Sequence, residues 1–568
     1  MPSTNANLLR LCDCIIREHL GEIVEAVAHE LLKRGRLNIR QLMDYTTYKE
    51  RLILESLTTL LDLGLASYKE QQEGSRLVSY YSADPRKILY RARFGLYLVI
   101  AQDKFGELGE LIVKYILLYG RRTFNSIFDA VKTNYPDYDA LLDSFQQLAD
   151  AKYIQPTTPD DVQTFADKRL EAEKQWKEKS SSTFNIRTKD KMKKELDDED
   201  RKVSVEKTLD GLKRKYVLDD DESFLQVKKR KTVFELYVDD AIFWRLNYDQ
   251  FHINLRNQAI VSLASRKHGP PAGVVAKAIL DAEESKMISC KVDIDSLPMK
   301  QYELQALLQT ANIPLAVYHV DEDAKRDIEE GHVNGSSSVT GNGPPRPRTN
   351  GAPLAQQQEV YSPVPFPEQE ILLRLARYDG HFQVIKPGDS MMGGGEYLVP
   401  LKEHNHFLKL EILRKYVLES FGKVSLRLWN LLLTENKLDE KTISKLALTS
   451  SKETRKALYP LLDRGYIQMQ AVPKRLDLTT QNTFFLYFVN FDLVVANTVE
   501  TITKALANLK ARRAMEVEKF TTTLEHLELG EEMSPDQQRR LDMLNKINQG
   551  FKVAEQELDY MMMVLNDF

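Results

Sequence analysis

Leu60-Leu61-Asp62-Leu63-Gly64 ends one apolar helical stripe, and Leu461-Leu462-Asp463-Arg464-Gly465 ends another far along the chain. A glycine just past the last helical residue can take the left-handed conformation that closes a helix, so each pentapeptide reads as a helix stop. An earlier helix closes the same distance before each of them, 29 positions from Gly35 to Gly64 and 29 from Asn436 to Gly465. Equal spacing and a shared terminator predict a repeated module.

In the first copy, Ile23, Val24, Val27, Ala28, Leu31 and Leu32 lie on one helical face. Ile39 to Tyr45 and Tyr48 to Leu63 predict two further helices. Two strand-like runs, Leu65-Ala66-Ser67-Tyr68 and Leu77-Val78-Ser79-Tyr80-Tyr81, flank the polar tip Gln71 to Ser75. Three helices and a hairpin make a winged helix.

The pattern returns along the chain. The stripe Leu108, Leu111, Ile112, Tyr115, Ile116 and Tyr119 closes at Gly120 and leads into Thr123 to Lys132 and Tyr138 to Asp150. Ser425 to Glu435, Glu440 to Leu446 and Lys452 to Arg464 are followed by strand-like residues from Tyr466 to Val489. A weaker copy has helices ending at His268-Gly269, running from Pro271 to Glu284, and running from Met299 to Asn312. Val495 to about Leu529 predicts a long helix, and Ser534-Pro535-Asp536-Gln537 has the capping-box form that launches a second, antiparallel one.

The expected fold is mainly α with small β-hairpins: tandem, extended winged helices at 1–95, 96–157, 232–320 and 368–492, then a helical hairpin at 493–568. Residues 158–231 form a charge-dense insertion, and 321–367 a Gly/Pro/Ser-rich loop expected to be disordered.

Composition narrows the function. The formal net charge of -4 leaves any nucleic-acid contact to local basic patches. Three cysteines, Cys12, Cys14 and Cys290, are too few and scattered for a disulfide framework, which points to a reducing compartment. No secretory signal or membrane-spanning run is read. No nucleophile, dinucleotide or phosphate-cradling motif stands out; the glycines from Gly388 to Gly395 lack the Lys-Ser or Lys-Thr such a loop needs. His404 and His406 lack further ligands, and Asp239-Asp240 and Asp293 with Asp295 lack the company that two-metal chemistry requires. A non-catalytic protein without cofactor or metal is expected.

A winged helix meets DNA through its third helix and its wing, so the basic residues there are the candidate contacts. Arg34, Arg36 and Arg40 surround the turn of the first module, with Arg86, Lys87, Arg91 and Arg93 after its wing. Lys452, Arg455 and Lys456 lie within one turn of the last module's third helix, with Lys474 and Arg475 at its wing. The run Lys228, Lys229, Arg230 and Lys231 is a candidate nuclear-import signal. Lys49 and Arg51 share their helix with Glu50 and Glu55, which is poor chemistry for reading base edges. A free-standing regulator and a scaffold that contacts only proteins stay open as alternatives.

Glu18-His19-Leu20-Gly21, Leu31-Leu32-Lys33-Arg34-Gly35-Arg36-Leu37 and Gly106-Glu107-Leu108-Gly109-Glu110-Leu111-Ile112 carry a resemblance. With the module order and the C-terminal helical pair, they resemble the largest subunit of the RNA polymerase III-specific initiation heterotrimer, in a fungal member. That family is similar to the alpha subunit of general transcription factor IIE. The resemblance implies a nuclear, non-catalytic subunit mounted on the polymerase clamp, assisting promoter opening for small RNAs such as tRNA and 5S rRNA. It also implies two companion subunits, the polymerase III initiation factor and promoter DNA as partners.

Overall fold

The computed structural model describes residues 5–73, 76–132, 135, 137–157, 163–164, 167–170, 172–174, 212–216, 234–238, 242–291, 295–296, 298–300, 302–304, 306, 316–317, 364–365, 384–387, 396–473, 483–521 and 534–568. The chain divides into two compact units. The first holds Met1–Arg256, Glu284–Asp293 and Asn405–Phe568, and the second holds Asn257–Glu283 and Ile294–His404.

The first module contains α1 (Ala6–Leu20), α2 (Glu22–Arg34), α3 (Ile39–Thr46), α4 (Glu50–Asp62) and the antiparallel hairpin β1 (Ala66–Glu73) and β2 (Arg76–Ala83). Val27, Leu31, Leu42, Ile53, Leu57 and Leu60 are buried together in its core, as the apolar spacing predicts. The short α3 is held at its start by a capping box in which Asn38 and Gln41 exchange side-chain and backbone hydrogen bonds. Helix α1 has no counterpart among the expected elements, although Leu11, Cys12, Ile15 and Ile16 are fully buried.

A short α5 (Pro85–Tyr90) leads into α6 (Phe94–Tyr119), then α7 (Phe124–Val131), α8 (Tyr138–Asp150) and β3 (Ile154–Pro156). Strands β4 (Leu212–Tyr216) and β5 (Phe234–Val238) pair with each other, whereas β6 (Trp244–Leu246) pairs with β3. Phe145 packs edge-on against Trp244 at 5.0 Å, inside the same core as Phe124 and Ile127. The charged insertion is therefore threaded between two strands of one wing. This corrects the expected boundary: Trp244 to Leu246 complete the second module rather than open the third.

The repeat runs deeper than its stops. Helices break at Gly21, Gly106 and Gly422 with φ of 89°, 71° and 84°, and 14 positions later Gly35, Gly120 and Asn436 again have positive φ. Two positions beyond each of these, the backbone bridges a wing strand: Leu37 to Tyr81, Arg122 to Trp244 and Leu438 to Tyr487. Each of the three modules thus carries one additional helix ahead of its helix-turn-helix, the extended form of the fold.

Helix α9 (Tyr248–His268) begins in the first unit and, from Asn257 onward, forms the core of the second with α10 (Pro270–Glu283), where Ile260, Leu263, Val275, Ile279 and Leu280 are buried. Strands β7 (Met299–Lys300), β10 (Lys386–Pro387) and β11 (Glu396–Leu398) form one antiparallel sheet in the order β10-β11-β7, and β8 (Ala316–Val317) pairs with β9 (Val364–Pro365). The helix expected from Met299 starts later: Met299 and Lys300 form a strand opposing Tyr397 and Glu396, and the described residues Tyr302, Glu303, Leu304 and Ala306 are helical. Ser296 reinforces this pairing, its backbone N–H donating to the Val399 carbonyl at 3.0 Å and its hydroxyl accepting from the Val399 N–H at 2.8 Å.

The last module contains α11 (Leu401–Glu435), β12 (Leu438–Asp439), α12 (Glu440–Leu446), α13 (Ser451–Asp463), β13 (Gln468–Pro473) and β14 (Thr483–Phe488). The terminal pair is α14 (Phe491–Glu518) and α15 (Pro535–Asn566), the latter opened by the expected capping box on Ser534 and Gln537. First module, last module and terminal helices share one continuous core.

Polar contacts pin that core. The buried Arg93 guanidinium donates to Asp559 at 2.9 Å and Asp567 at 2.6 Å, both on or beside α15. The Tyr97 hydroxyl and His252 Nε2 are hydrogen-bonded at 2.9 Å. Lys510 and Arg513 of α14 both reach Glu18 of α1 and Glu555 of α15. Burial alone would raise the Glu18 pKa, but the two cations hold it below the usual range.

Gly120 has φ +79°, and a Cβ there would collide with the Asp62 carbonyl, to which Arg121 N–H donates at 3.0 Å. Gly120→Ala should cost about 2–4 kcal/mol, seen as a lower urea midpoint by tryptophan fluorescence. Gly550→Ala, in a helix with open space around it, should instead raise the midpoint slightly, by about 0.5–1 kcal/mol.

Burial and the neighbouring Arg93 push the His252 pKa down to about 3, well below its unfolded value of about 6.5. The unfolded chain takes up this proton first, so the contribution is present above about pH 6.5 and lost as pH falls towards 3. Unfolding free energy measured from pH 7 to pH 4 should fall less steeply in His252→Gln than in the parent.

Candidate nucleic-acid interface

The turn and wing of the first module are tied together where Leu37 and Tyr81 exchange backbone hydrogen bonds of 3.1 and 2.8 Å. This places the basic residues of the turn beside the root of the hairpin. Arg34, in the last turn of α2, bonds Glu30 at 2.5 Å and stacks over the Tyr45 ring at 3.7 Å. Arg36 pairs with Asp167, which also accepts from Lys69 at 3.3 Å. Arg40 is exposed in the first turn of α3. On α4, Arg51 is spent on Glu55 at 2.9 Å, so the outer face of this helix carries little net charge.

Two residues grouped with the wing are placed otherwise. Arg91 and Arg93 are only 5% and 2% exposed. Arg93 neutralises the two C-terminal aspartates, and Arg91 lies over the Phe94 ring at 4.8 Å with its pKa lowered by burial. Neither faces solvent as a phosphate ligand would, which corrects the sequence expectation. Charge type was legible, but burial depended on a helix hundreds of positions away.

In the last module, Ser450 caps α13 by accepting from the Glu453 N–H. Lys452 follows in the first turn and is exposed, as is Lys456; Arg455 reaches back to Glu440 at 2.6 Å. A cation in the first turn opposes the helix macrodipole, at a cost of about 0.3–1 kcal/mol, so helix stability does not account for Lys452. An incoming anion would meet Lys452 together with the backbone N–H groups of that turn. The described wing strands Gln468–Pro473 and Thr483–Phe488 contain no charged residue, and Val472, Phe484 and Phe485 are exposed on them. The helix of this module is basic while its wing is apolar. Lys474 and Arg475, and the run Lys228 to Lys231, lie outside the described residues.

The remaining groups have structural surroundings. His404 is buried with Nδ1 donating to the Pro400 carbonyl at 2.7 Å, and burial lowers its pKa to about 4. Among the described residues, no cluster of His, Cys, Asp or Glu could hold a metal ion, and no helix is long and apolar enough to cross a membrane.

Segments of the chain match known families. A family described as RNA polymerase III subunit RPC82 helix-turn-helix domain matches residues 10–71, over α1 to β1. One described as RNA polymerase III subunit RPC82 matches 143–403, and one described as POLR3C, C-terminal winged-helix domain, matches 413–489. Similar proteins include DNA-directed RNA polymerase III subunit RPC3 of Danio rerio, 26% identical over 92% of this chain and 86% of the relative. The Homo sapiens protein of that name is 24% identical over 91% and 86%. The Emericella nidulans protein is 23% identical over 89% of both chains. The three matched segments follow one another along the chain and the relatives align over about nine tenths of it, which supports identifying the chain as a relative of the RPC82/RPC3 subunits of RNA polymerase III.

Proposed function

We propose that this chain is a non-catalytic subunit of DNA-directed RNA polymerase III that acts in initiation, holding promoter DNA by its phosphates while the template is opened. Its working place is the nucleus. Its partners are two companion subunits, the clamp of the largest catalytic subunit and the polymerase III initiation factor, and its products are small RNAs such as tRNA and 5S rRNA. The observation that carries the reading is the alignment of relatives along nearly the whole chain, with the family matching residues 143–403. The placement of Lys452 and Lys456 on the outer face of α13, with Arg40 on the first module, supports phosphate contact.

Arg34, Arg36 and Arg455 already have carboxylate partners, so they contribute less to an outward field than their sequence positions suggest. With α4 internally compensated, base-edge readout falls to partner factors rather than to this chain. A protein-contact role for part of the last module is favoured by Leu448 and Tyr459, 88% and 70% exposed beside α13. The two roles use neighbouring surfaces.

Reversing Lys452 and Lys456 to glutamate in the assembled polymerase should reduce promoter opening about tenfold at moderate salt. The dependence of log affinity on log salt should become shallower by about two, near 0.9 for each phosphate no longer neutralised. Permanganate reactivity of the opened strands, measured across a salt series, reads both quantities. Opening and salt dependence equal to the parent would assign this face to protein contact alone.

A further inference from the structure

Asp167 shares its carboxylate between two cations of the first module, Arg36 and Lys69. Its side chain is only 4% exposed, although it belongs to a short described stretch leading into the charge-dense insertion. One carboxylate oxygen accepts from Arg36 and from the Thr164 hydroxyl, and the other accepts from Lys69 Nζ at 3.3 Å. Arg36 also donates to Thr164 Oγ1 at 3.4 Å, and the Asp167 backbone N–H donates to the same oxygen at 3.2 Å. Arg36 and Lys69 remain about one third exposed beneath this cover.

Lys69 lies on the wing, and Arg36 lies in the turn that is tied to the root of that wing. Arg36 immediately precedes Leu37, the residue that bridges to Tyr81, and Lys69 sits on β1 opposite Tyr80. A guanidinium and an ammonium that share one anionic group offer the donor set of a phosphate clamp. The carboxylate places one oxygen on each cation, as two non-bridging phosphate oxygens would. It is tethered in cis, because Asp167 follows β3 at the start of the segment inserted in the second module's wing.

We infer that Arg36 and Lys69 form a phosphate site for the nucleic-acid backbone that Asp167 keeps closed, and that Asp167 must be displaced before this site engages. This rests on the reading that the chain meets nucleic acid, and it adds a regulated contact separate from Lys452 and Lys456. The site is sequence-independent, since it offers nothing to a base edge. Because the cover is a charge on the same chain, its removal raises affinity without any new residue.

The experiment compares the purified full chain with Asp167→Asn, with the triple variant Asp167→Asn/Arg36→Ala/Lys69→Ala, and with Asp150→Asn, which removes the same charge at an exposed position of the second module. Anisotropy of a labelled duplex of arbitrary sequence, across a salt series, gives affinity and slope for each. Asp167→Asn should bind about three- to tenfold tighter than the parent, with a slope steeper by about one, and the triple variant should lose that gain. Asp150→Asn should match the parent. Circular dichroism and thermal unfolding verify that every variant keeps its fold. If the parent binds but Asp167→Asn shows the same affinity and slope, the closed site is overturned while the wider reading stands. A gain that survives in the triple variant also overturns it. If neither parent nor any variant binds the duplex, both readings fall.

Discussion

Burial of the Arg93 guanidinium obliges two distant parts of the chain to meet. A cation taken out of water needs matching charge and hydrogen bonds, and losing a partner from such a pair costs about 3–5 kcal/mol. Here the match comes from Asp559 and Asp567, which brings the end of α15 onto the linker between the first two modules. Tyr97 and His252 close the same polar centre from the second module. Once α15 is fixed, α14 lies along it and along α1, with Lys510 and Arg513 joining Glu18 to Glu555. The first and last modules then share one core with the terminal helices.

That arrangement decides which cations remain available. With a net charge of -4, the chain has enough carboxylates to compensate many of its arginines internally. Arg34, Arg36 and Arg455 each meet one and Arg513 meets two, whereas Arg40, Lys452 and Lys456 project from helix surfaces. The proposed weak, sequence-independent grip by a few phosphate contacts would suit a polymerase subunit better than a free-standing regulator, because a surrounding assembly supplies position and specificity.

Local chemistry was legible in the sequence. Gly35, Gly64 and Gly465 close helices with positive φ where the stops were read, and Ser534 with Gln537 caps α15 as its spacing demands. The hairpin of the first module follows from alternation around a polar tip. What escaped depended on partners remote in sequence. Trp244 to Leu246 is too short a strand to announce itself, and its partner lies on the far side of the insertion. Nothing local marks Asp167 as the partner of Arg36, 131 positions earlier, or distinguishes Arg93 from the exposed arginines around it. The breaks at Gly21, Gly106 and Gly422, each 14 positions before the next positive-φ residue, were present in the sequence as a periodic signal; the apolar stripes drew the reading to the later helices instead.

Amide hydrogen exchange on the full-length Arg93→Met variant tests most directly whether this buried cation organises the first unit. Loss of the guanidinium should accelerate exchange across α15 and α1 together, while α8, built into the separate core around Phe145 and Leu148, keeps its protection. Protection of α15 equal to that in the parent chain would show that apolar packing alone holds the terminal helices, and would contradict the account.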